Sequence, residues 1–346
     1  MRYRQLGDTD LAVSELGLGT MMFGEQNPAA AAHRLLDIAL AAGVNFIDTA
    51  EMYPVPPRAD TCGLSESILG DWLRQRGRRD DVVLATKATG PGVHVPYLRG
   101  GKSRHTAGDL AHALDGSLQR LGTDYIDLYQ LHWPARPTNT FGQLGYKPAQ
   151  TEPPTNLEET LRALARFVAD GKVRYIGLSN ETPWGLMTFL ALAREAGLPR
   201  VVSIQNPYNL LNRTFEVGLA EIADREHVGL IAYSPLAFGV LSGKYAGGAR
   251  PADARISRYD RFVRYTNARG LAASGRYVEL AREFDIDPVV MAISFILSRR
   301  YVTSVLLGAT TEAQLHHNLA AIRTPVCKPL LKAIDNLHAQ SPNPCP

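Results

Sequence analysis

An acid, a phenol, an ammonium and an imidazole stand at the ends of three successive apolar runs. Val44-Asn45-Phe46-Ile47-Asp48 closes on Asp48, with Tyr53 just beyond it. Val82-Val83-Leu84-Ala85-Thr86-Lys87 closes on Lys87, and Ile126-Asp127-Leu128-Tyr129-Gln130-Leu131-His132 closes on His132. If these runs are neighbouring parallel strands, all four side chains converge on one rim. The chemistry that set can do is proton transfer at a carbonyl. A phenol titrates near ~10 and is a poor acid at neutral pH, but a nearby ammonium favours the phenolate, and Lys87 is the candidate. Asp48 can hold Lys87 in place and keep it charged. His132 can donate a hydrogen bond to a carbonyl oxygen, and Tyr53 can deliver a proton as charge develops there.

Taken singly, each residue has an ordinary reading: Asp48 as a helix cap, Tyr53 as a loop anchor, Lys87 as a solvated charge, His132 as a rim histidine. All four ordinary readings together require coincidences at successive strand ends. None of the four groups is redox active, so a reduction needs electrons from elsewhere. A reduced nicotinamide is the natural hydride donor.

The elements that must carry these residues follow from periodicity. Short β-branched runs alternate with helical patterns, which implies βα units and a parallel sheet. Strands are expected near 14–19, 44–49, 82–87, 126–131, 173–178, 201–205, 229–233 and 304–308. Helices are expected near 29–42, 64–76, 107–121, 156–170, 184–196, 216–227, 287–299 and 312–321. Eight such units over about 300 residues point to a closed (β/α)8 TIM barrel, read as a single domain over 1–346. Residues 1–13 read as an N-terminal β-hairpin that plugs the barrel bottom, and 341–346 as a frayed tail. An open doubly wound sheet would offer G-x-G-x-x-G after its first strand; Gly17-Leu18-Gly19-Thr20 lacks the third glycine.

Three long loops, Thr89–Arg104, Trp133–Thr155 and Leu236–Asn267, all leave C-terminal strand ends, where a barrel builds its site. A substrate pocket walled by Phe23, Tyr53, His132, Trp133 and the 136–150 loop suits aldehydes and hydrophobic ketones better than charged sugars. Six arginines fall between Arg250 and Arg269; most are expected in solvent, with one able to reach a cofactor.

Composition narrows the class. The net charge of +3 is too small to argue for nucleic acid without a clustered basic face. The three cysteines have no metal-ligand spacing and form no disulfide framework, and no metal site is expected. No run reaches the ~18 apolar residues of a membrane span, and the N-terminus lacks a signal pattern. A cytoplasmic protein acting on a small molecule is expected, with homo-oligomerisation open.

The motifs also match a known family. Gly43-Val-Asn-Phe-Ile-Asp-Thr-Ala50 with Tyr53, Ser65-Glu66-Ser67-Ile68-Leu69-Gly70, Lys87 and Asp124 to His132 come first. Gly171 to Asn180, Tyr233-Ser-Pro-Leu236 and Gly308-Ala-Thr-Thr311 through Asn318 complete the set. In this order, over nearly the whole chain, the sequence resembles the aldo-keto reductases, and Glu51–Pro57 with the long loops resembles the Tas-like bacterial branch. The resemblance implies the barrel, NADPH-dependent carbonyl reduction, and a catalytic tetrad of Asp48, Tyr53, Lys87 and His132. The segment Pro54–Gly63 is longer than in typical members. Potassium-channel β subunits carry the same tetrad, so a cofactor-binding, redox-sensing subunit is the alternative.

The same resemblance assigns cofactor contacts. Ser179, Asn180 and Gln205 would hold the nicotinamide carboxamide, beside Asp48, with Tyr233 stacked on the ring and Gly19, Thr20 and Met21 close by. Ser234, Pro235, Leu236, Gly239, Leu241 and Lys244 would follow the pyrophosphate. Gly308, Ala309, Thr310, Thr311, Gln314 and Asn318 would take the adenosine end. Gln314 stands where many members carry an arginine for the 2′-phosphate, and its neutral amide weakens the NADP preference; other members with glutamine there resemble NADP binders, so NADP is placed ahead of NAD, with NADH possible.

Overall fold

The computed structural model describes residues 1–148 and 156–346. The part of the Trp133–Thr155 loop and of the 136–150 pocket wall that falls in 149–155 lies outside the described residues. Eight parallel strands close into a barrel: β3 (Leu16–Gly19), β4 (Phe46–Asp48), β5 (Val83–Ala88), β6 (Ile126–Leu131), β7 (Val173–Ser179), β8 (Val201–Pro207), β9 (Gly229–Tyr233) and β10 (Val302–Leu307), with β10 returning to β3. Ahead of them β1 (Tyr3–Gln5) pairs antiparallel with β2 (Ala12–Ser14), giving the hairpin expected from the sequence.

Inside the barrel, side chains alternate with period two, and three neighbouring strands show what that does. Phe46 and Asp48 rise on β4, Val83, Ala85 and Lys87 on β5, Leu128 and Gln130 on β6. The lower members are apolar and pack with Leu6, Leu11 and Val13 from the hairpin region, which closes the bottom. The upper members are polar. Register holds them level: Asp48 lies opposite Ala85, and Lys87 opposite Gln130.

The helices between strands are α1 (Ala29–Ala41), α2 (Leu64–Arg76), α3 (Ala107–Leu121), α4 (Leu157–Ala169), α5 (Pro183–Ala196), α6 (Leu219–Arg225), α7 (Arg255–Arg258), α8 (Ala268–Glu283), α9 (Pro288–Leu297) and α10 (Glu312–Leu319), followed by α11 (Lys328–Gln340). They pack on the outer faces of the strands around Leu35, Leu69, Leu114, Leu164 and Ile293, all buried. Their starts are chemically marked. Thr106 forms a capping box with Asp109, and Asn156, Thr182, Asp287 and Thr311 each accept a backbone N–H at their helix starts.

Three helices were not anticipated, the single turn α7 and the longer α8 and α11. Helix α8 carries Gly270, Gly275 and several arginines, so its apolar stripe is thin, although Asn267 caps it. Helix α11 follows the eighth βα unit, past the point where the barrel pattern is complete. The end of the chain also differs from the frayed tail read from its sequence. Cys345 is buried, its backbone N–H donates to the Leu211 carbonyl at 3.1 Å, and Asn267 donates to the Pro344 carbonyl at 3.1 Å. Gly270 permits this fold-back, because a Cβ there would lie 2.3 Å from Cys345 Sγ.

Candidate active site

At the C-terminal end of the barrel a cavity of about 1440 Å³ opens, larger than the ~300–1,000 Å³ of ordinary ligand pockets. Its floor is a polar cluster. Lys87 Nζ donates to Asp48 Oδ2 at 2.5 Å and to the Thr49 carbonyl at 2.7 Å. The other oxygen, Asp48 Oδ1, accepts from Gln205 at 2.7 Å and Gln130 at 3.2 Å. Lys87 is fully buried and Asp48 nearly so. Burial pulls the ammonium below the usual lysine range, and Asp48 works against that pull.

Tyr53 lies above this pair, its ring centroid 5.1 Å from Lys87 Nζ and edge-on to His132 at 5.6 Å. The expectation that Lys87 lowers the Tyr53 pKa is not met. Burial first, then the Asp48 carboxylate and Tyr233, hold the phenol well above its ordinary value, with Arg255 pulling the other way. The ammonium is taken up by Asp48 at hydrogen-bond distance, so little of its field is left for the ring. His132 is held well below the usual histidine range by burial, then by Lys87, His105 and His94. The neutral ring keeps one N–H to donate, and its Nδ1 is buried without a hydrogen-bond partner.

The four sequence-predicted residues thus share one site. Several expected contacts also face the cavity: Gly19, Met21, Ser179, Asn180, Gln205, Tyr233, Ser234, Pro235, Leu236, Gly239, Lys244, Gly308, Ala309, Thr310, Thr311, Gln314 and Asn318. Three do not. Thr20 turns its hydroxyl to Ser65 at 2.8 Å and to the Asp48 carbonyl at 3.1 Å. Leu241 and Phe23 are core residues; Met21 and Met22 stand in the wall where Phe23 was expected. Trp133 does line the cavity, fixed by its indole N–H donating to the Pro91 carbonyl at 2.8 Å. Gly90 makes room for it, since a Cβ there would meet Trp133 Nε1 at 2.4 Å.

One arm of the cavity suits a nucleotide. Tyr233 donates to Asn180 Oδ1 at 2.6 Å, and Asn180 Nδ2 donates to the His132 carbonyl at 2.9 Å. Gly19 would tolerate a Cβ, whose nearest neighbour would be 3.5 Å away, so packing within the protein does not demand glycine there. Gly239 takes φ +91°, and a Cβ on it would lie 2.9 Å from Lys244 Nζ. Gln314 Oε1 accepts from the Thr310 backbone N–H at 2.9 Å.

Sequence reasoning missed several participants. Gln130 is on the Asp48 floor, and its position two residues before His132, hence on the same strand face, was the available signal. Glu51 is buried, accepting from the Thr89 N–H at 2.8 Å and pairing with Arg99. Arg255 is the largest surprise. It lines the cavity between Phe238 and Phe262, its guanidinium carbon 5.7 and 5.4 Å from their centroids. Burial brings it down to about 10, and no carboxylate pairs with it among the described residues. Lys244 is beside it and is lowered by burial and by Arg255 itself.

Residues 15–339 match the model of the aldo/keto reductase family. The chain is 48% identical to "Protein tas" of Escherichia coli, with both chains covered completely. It is 33% identical to "Uncharacterized oxidoreductase YrpG" of Bacillus subtilis, covering 97% of this chain and 96% of that one. It is also 33% identical to "L-glyceraldehyde 3-phosphate reductase" of E. coli, over 93% and 88% of the two chains.

Proposed function

The chain belongs to the aldo/keto reductase family and is an oxidoreductase, and from that premise we propose that it reduces aldehydes or ketones with NADPH. The observation that carries the reading is the buried Lys87–Asp48 pair directly beneath Tyr53, with His132 beside it, at the floor of a cavity with room for two ligands.

The residues present fit the dinucleotide. Arg255 and Lys244 are two adjacent cations with no ion-paired carboxylate among the described residues, which is an arrangement an anionic pyrophosphate would neutralise. Of the loop arginines, Arg255 is the one we assign to the cofactor. Tyr233 offers a ring face, Ser179, Asn180 and Gln205 a polar edge, and Asn318 and Gln314 amides for the adenosine end. When bound, a reduced nicotinamide supplies the hydride that no side chain here can provide.

The chain's own residues manage the substrate oxygen. His132, neutral and buried, donates a hydrogen bond that orients and polarises the carbonyl. Tyr53 keeps its proton across the working pH range and gives it up when the oxygen acquires negative charge. An alkoxide is a stronger base than a phenolate, so the transfer runs downhill even from a raised phenol. Lys87 then faces a new phenolate, to whose charge its ammonium responds. Asp48, Gln130 and Gln205 keep that ammonium fixed. Trp133, Met52 and Val55 exclude water from the reacting centre. We place this chemistry in the cytoplasm; no helix among the described residues is long and apolar enough to cross a membrane.

The test is loss of nicotinamide absorbance with NADPH and an activated aromatic aldehyde, for the wild type beside Tyr53→Phe. The variant should bind NADPH as before while kcat falls about 10²- to 10⁴-fold. Undiminished turnover in Tyr53→Phe removes the proton-donor role. No turnover in the wild type, with tight NADPH binding, favours a cofactor-binding subunit.

A further inference from the structure

The substrate side of the cavity is walled by aromatic rings, yet it also holds an arginine that forms no ion pair with an acidic side chain among the described residues. Trp133 packs on His132 with centroids 4.8 Å apart, and Phe141 stands edge-on to Trp133 at 5.7 Å. Phe262 joins Met52, Tyr53, Val55 and Trp133 in one apolar cluster over the reacting centre. Arg264, two residues on from Phe262, reaches into the cavity under the Phe141–Gly142 turn. A Cβ on Gly142 would lie 3.1 Å from its Nε.

Among the described residues no acidic side chain pairs with it. Arg264 is half-buried; burial works against its charge, and the hydroxyls of Tyr233 and Tyr265, which it faces, favour it. Those hydroxyls have other partners. Tyr233 donates to Asn180, and Tyr265 accepts from Asn209 Nδ2 at 3.1 Å. None of the described acidic side chains that line the cavity pairs with Arg264, while an oxygen of Pro346 stands against the same turn, 2.9 Å from where a Gly142 Cβ would lie. Asp48 is committed to Lys87, Gln205 and Gln130. Asp287 caps α9 and pairs with His317 at 2.8 Å, and Asp253 is exposed on the loop before Arg255. A half-buried guanidinium with no acidic side chain paired to it among the described residues has taken on desolvation without an ion pair. Its planar fork is the group that recognises carboxylate or phosphate. Through Tyr233 and Asn180 it is three hydrogen bonds from the backbone of His132, within the same pocket.

We propose that the substrates are carbonyl compounds with an apolar body and an anionic oxygen group, a carboxylate or a phosphate ester, held by Arg264 while the body lies against Trp133 and Phe141. This rests on the carbonyl-reductase reading and departs from the expectation that the pocket suits aldehydes and hydrophobic ketones better than charged sugars. Arg264 is a specificity-determining residue in this scheme. It does not touch the reacting atoms.

The experiment compares three matched probes with NADPH and the full chain: para-carboxybenzaldehyde, its neutral methyl ester, and para-formylphenyl phosphate. Wild type should show KM about tenfold lower for at least one anion than for the ester, as charge-assisted pairing implies, with kcat similar. The better anion identifies the group. Arg264→Gln should collapse the anion-to-ester ratio of kcat/KM by about the same factor, through KM rather than kcat, and Arg264→Lys should restore part of it. Equal KM for anions and ester, or a ratio that R264Q leaves intact, overturns the proposal while carbonyl reduction stands. If no aldehyde is turned over, the reductase reading fails instead. Calorimetric titration of NADP-loaded protein with para-(hydroxymethyl)benzoate and its methyl ester then decides the anion site. Tighter acid binding that R264Q abolishes supports it, and equal binding refutes it.

Discussion

The floor and the upper wall of the cavity bury charge in opposite ways. On the floor, Lys87 and Asp48 neutralise one another at 2.5 Å, and the other Asp48 oxygen accepts from Gln205 and Gln130. In the wall, Arg255 lies between aromatic rings beside Lys244 and Arg264 faces phenol hydroxyls, and neither pairs with an acidic side chain among the described residues. A balanced pair is a positioning device, complete before any ligand arrives. An unbalanced buried cation is incomplete, and its natural complement is an anion from outside. The difference separates the part of the site that performs proton chemistry from the parts that recognise what is brought to it.

The sharpest way to break this comparison is to unbalance the floor. Lys87→Met leaves Asp48 buried without its partner, which should destabilise the protein by about 3 to 5 kcal/mol. It should also abolish measurable turnover. Denaturant unfolding of the variant checks the first and a progress curve the second, and a fully stable Lys87→Met would mean the pair is not closed.

His105 shows a third manner of burial, a titratable ring kept neutral. It is fully enclosed, and burial first, with Arg99, lowers it to about 4. The unfolded chain therefore takes up a proton near pH 6.5 that the folded chain refuses until about 4. Stability is intact above that window and is lost as pH falls through it, by about 3 kcal/mol for this residue. His132 adds in the same direction. Unfolding free energies measured between pH 7 and 4 should show that slope, and His105→Asn should flatten it.

Arg255→Met tests the wall. It should weaken NADPH binding about tenfold or more yet leave the ligand-free melting temperature unchanged or raised, because no carboxylate loses a partner. A drop in ligand-free stability matching that of Lys87→Met would erase the distinction between floor and wall. The smallest effect is expected at the adenosine end. Gln314 turns its amide oxygen onto Thr310, and Gln314→Arg should tighten NADPH relative to NADH by about 1 kcal/mol, an exposed charge pair being worth no more. Equal affinities before and after the change would place the 2′-phosphate elsewhere.

The barrel and the tetrad were legible because both are written in local periodicity. A strand of period two ending in Asp48, Lys87 or His132 announces its own face and end. The recharged wall was not legible, because α7 is four residues long and its loop has no period. Nothing in Arg255-Ile-Ser-Arg258 or Arg261-Phe-Val-Arg264 tells which arginine turns inward. Only the packing of Phe238 and Phe262 decides it. Phe23 and Leu241 were misplaced for the converse reason. Proximity in sequence to a site residue does not fix which side of the backbone a side chain takes, and both point into the core. The tail was misread because its anchor, Gly270 against Cys345, joins segments 75 residues apart.

The apolar seal beneath the floor has one further consequence. Leu6, Leu11 and Val13 close the barrel under Phe46, Val83 and Leu128, so the ammonium hydrogens of Lys87 have no route to solvent from below. They can trade with water only through the cavity above, where ligands bind. Occupancy of the cavity should therefore be readable in those hydrogens alone, as a slowing of their exchange with deuterated solvent, before any bond in a substrate has changed.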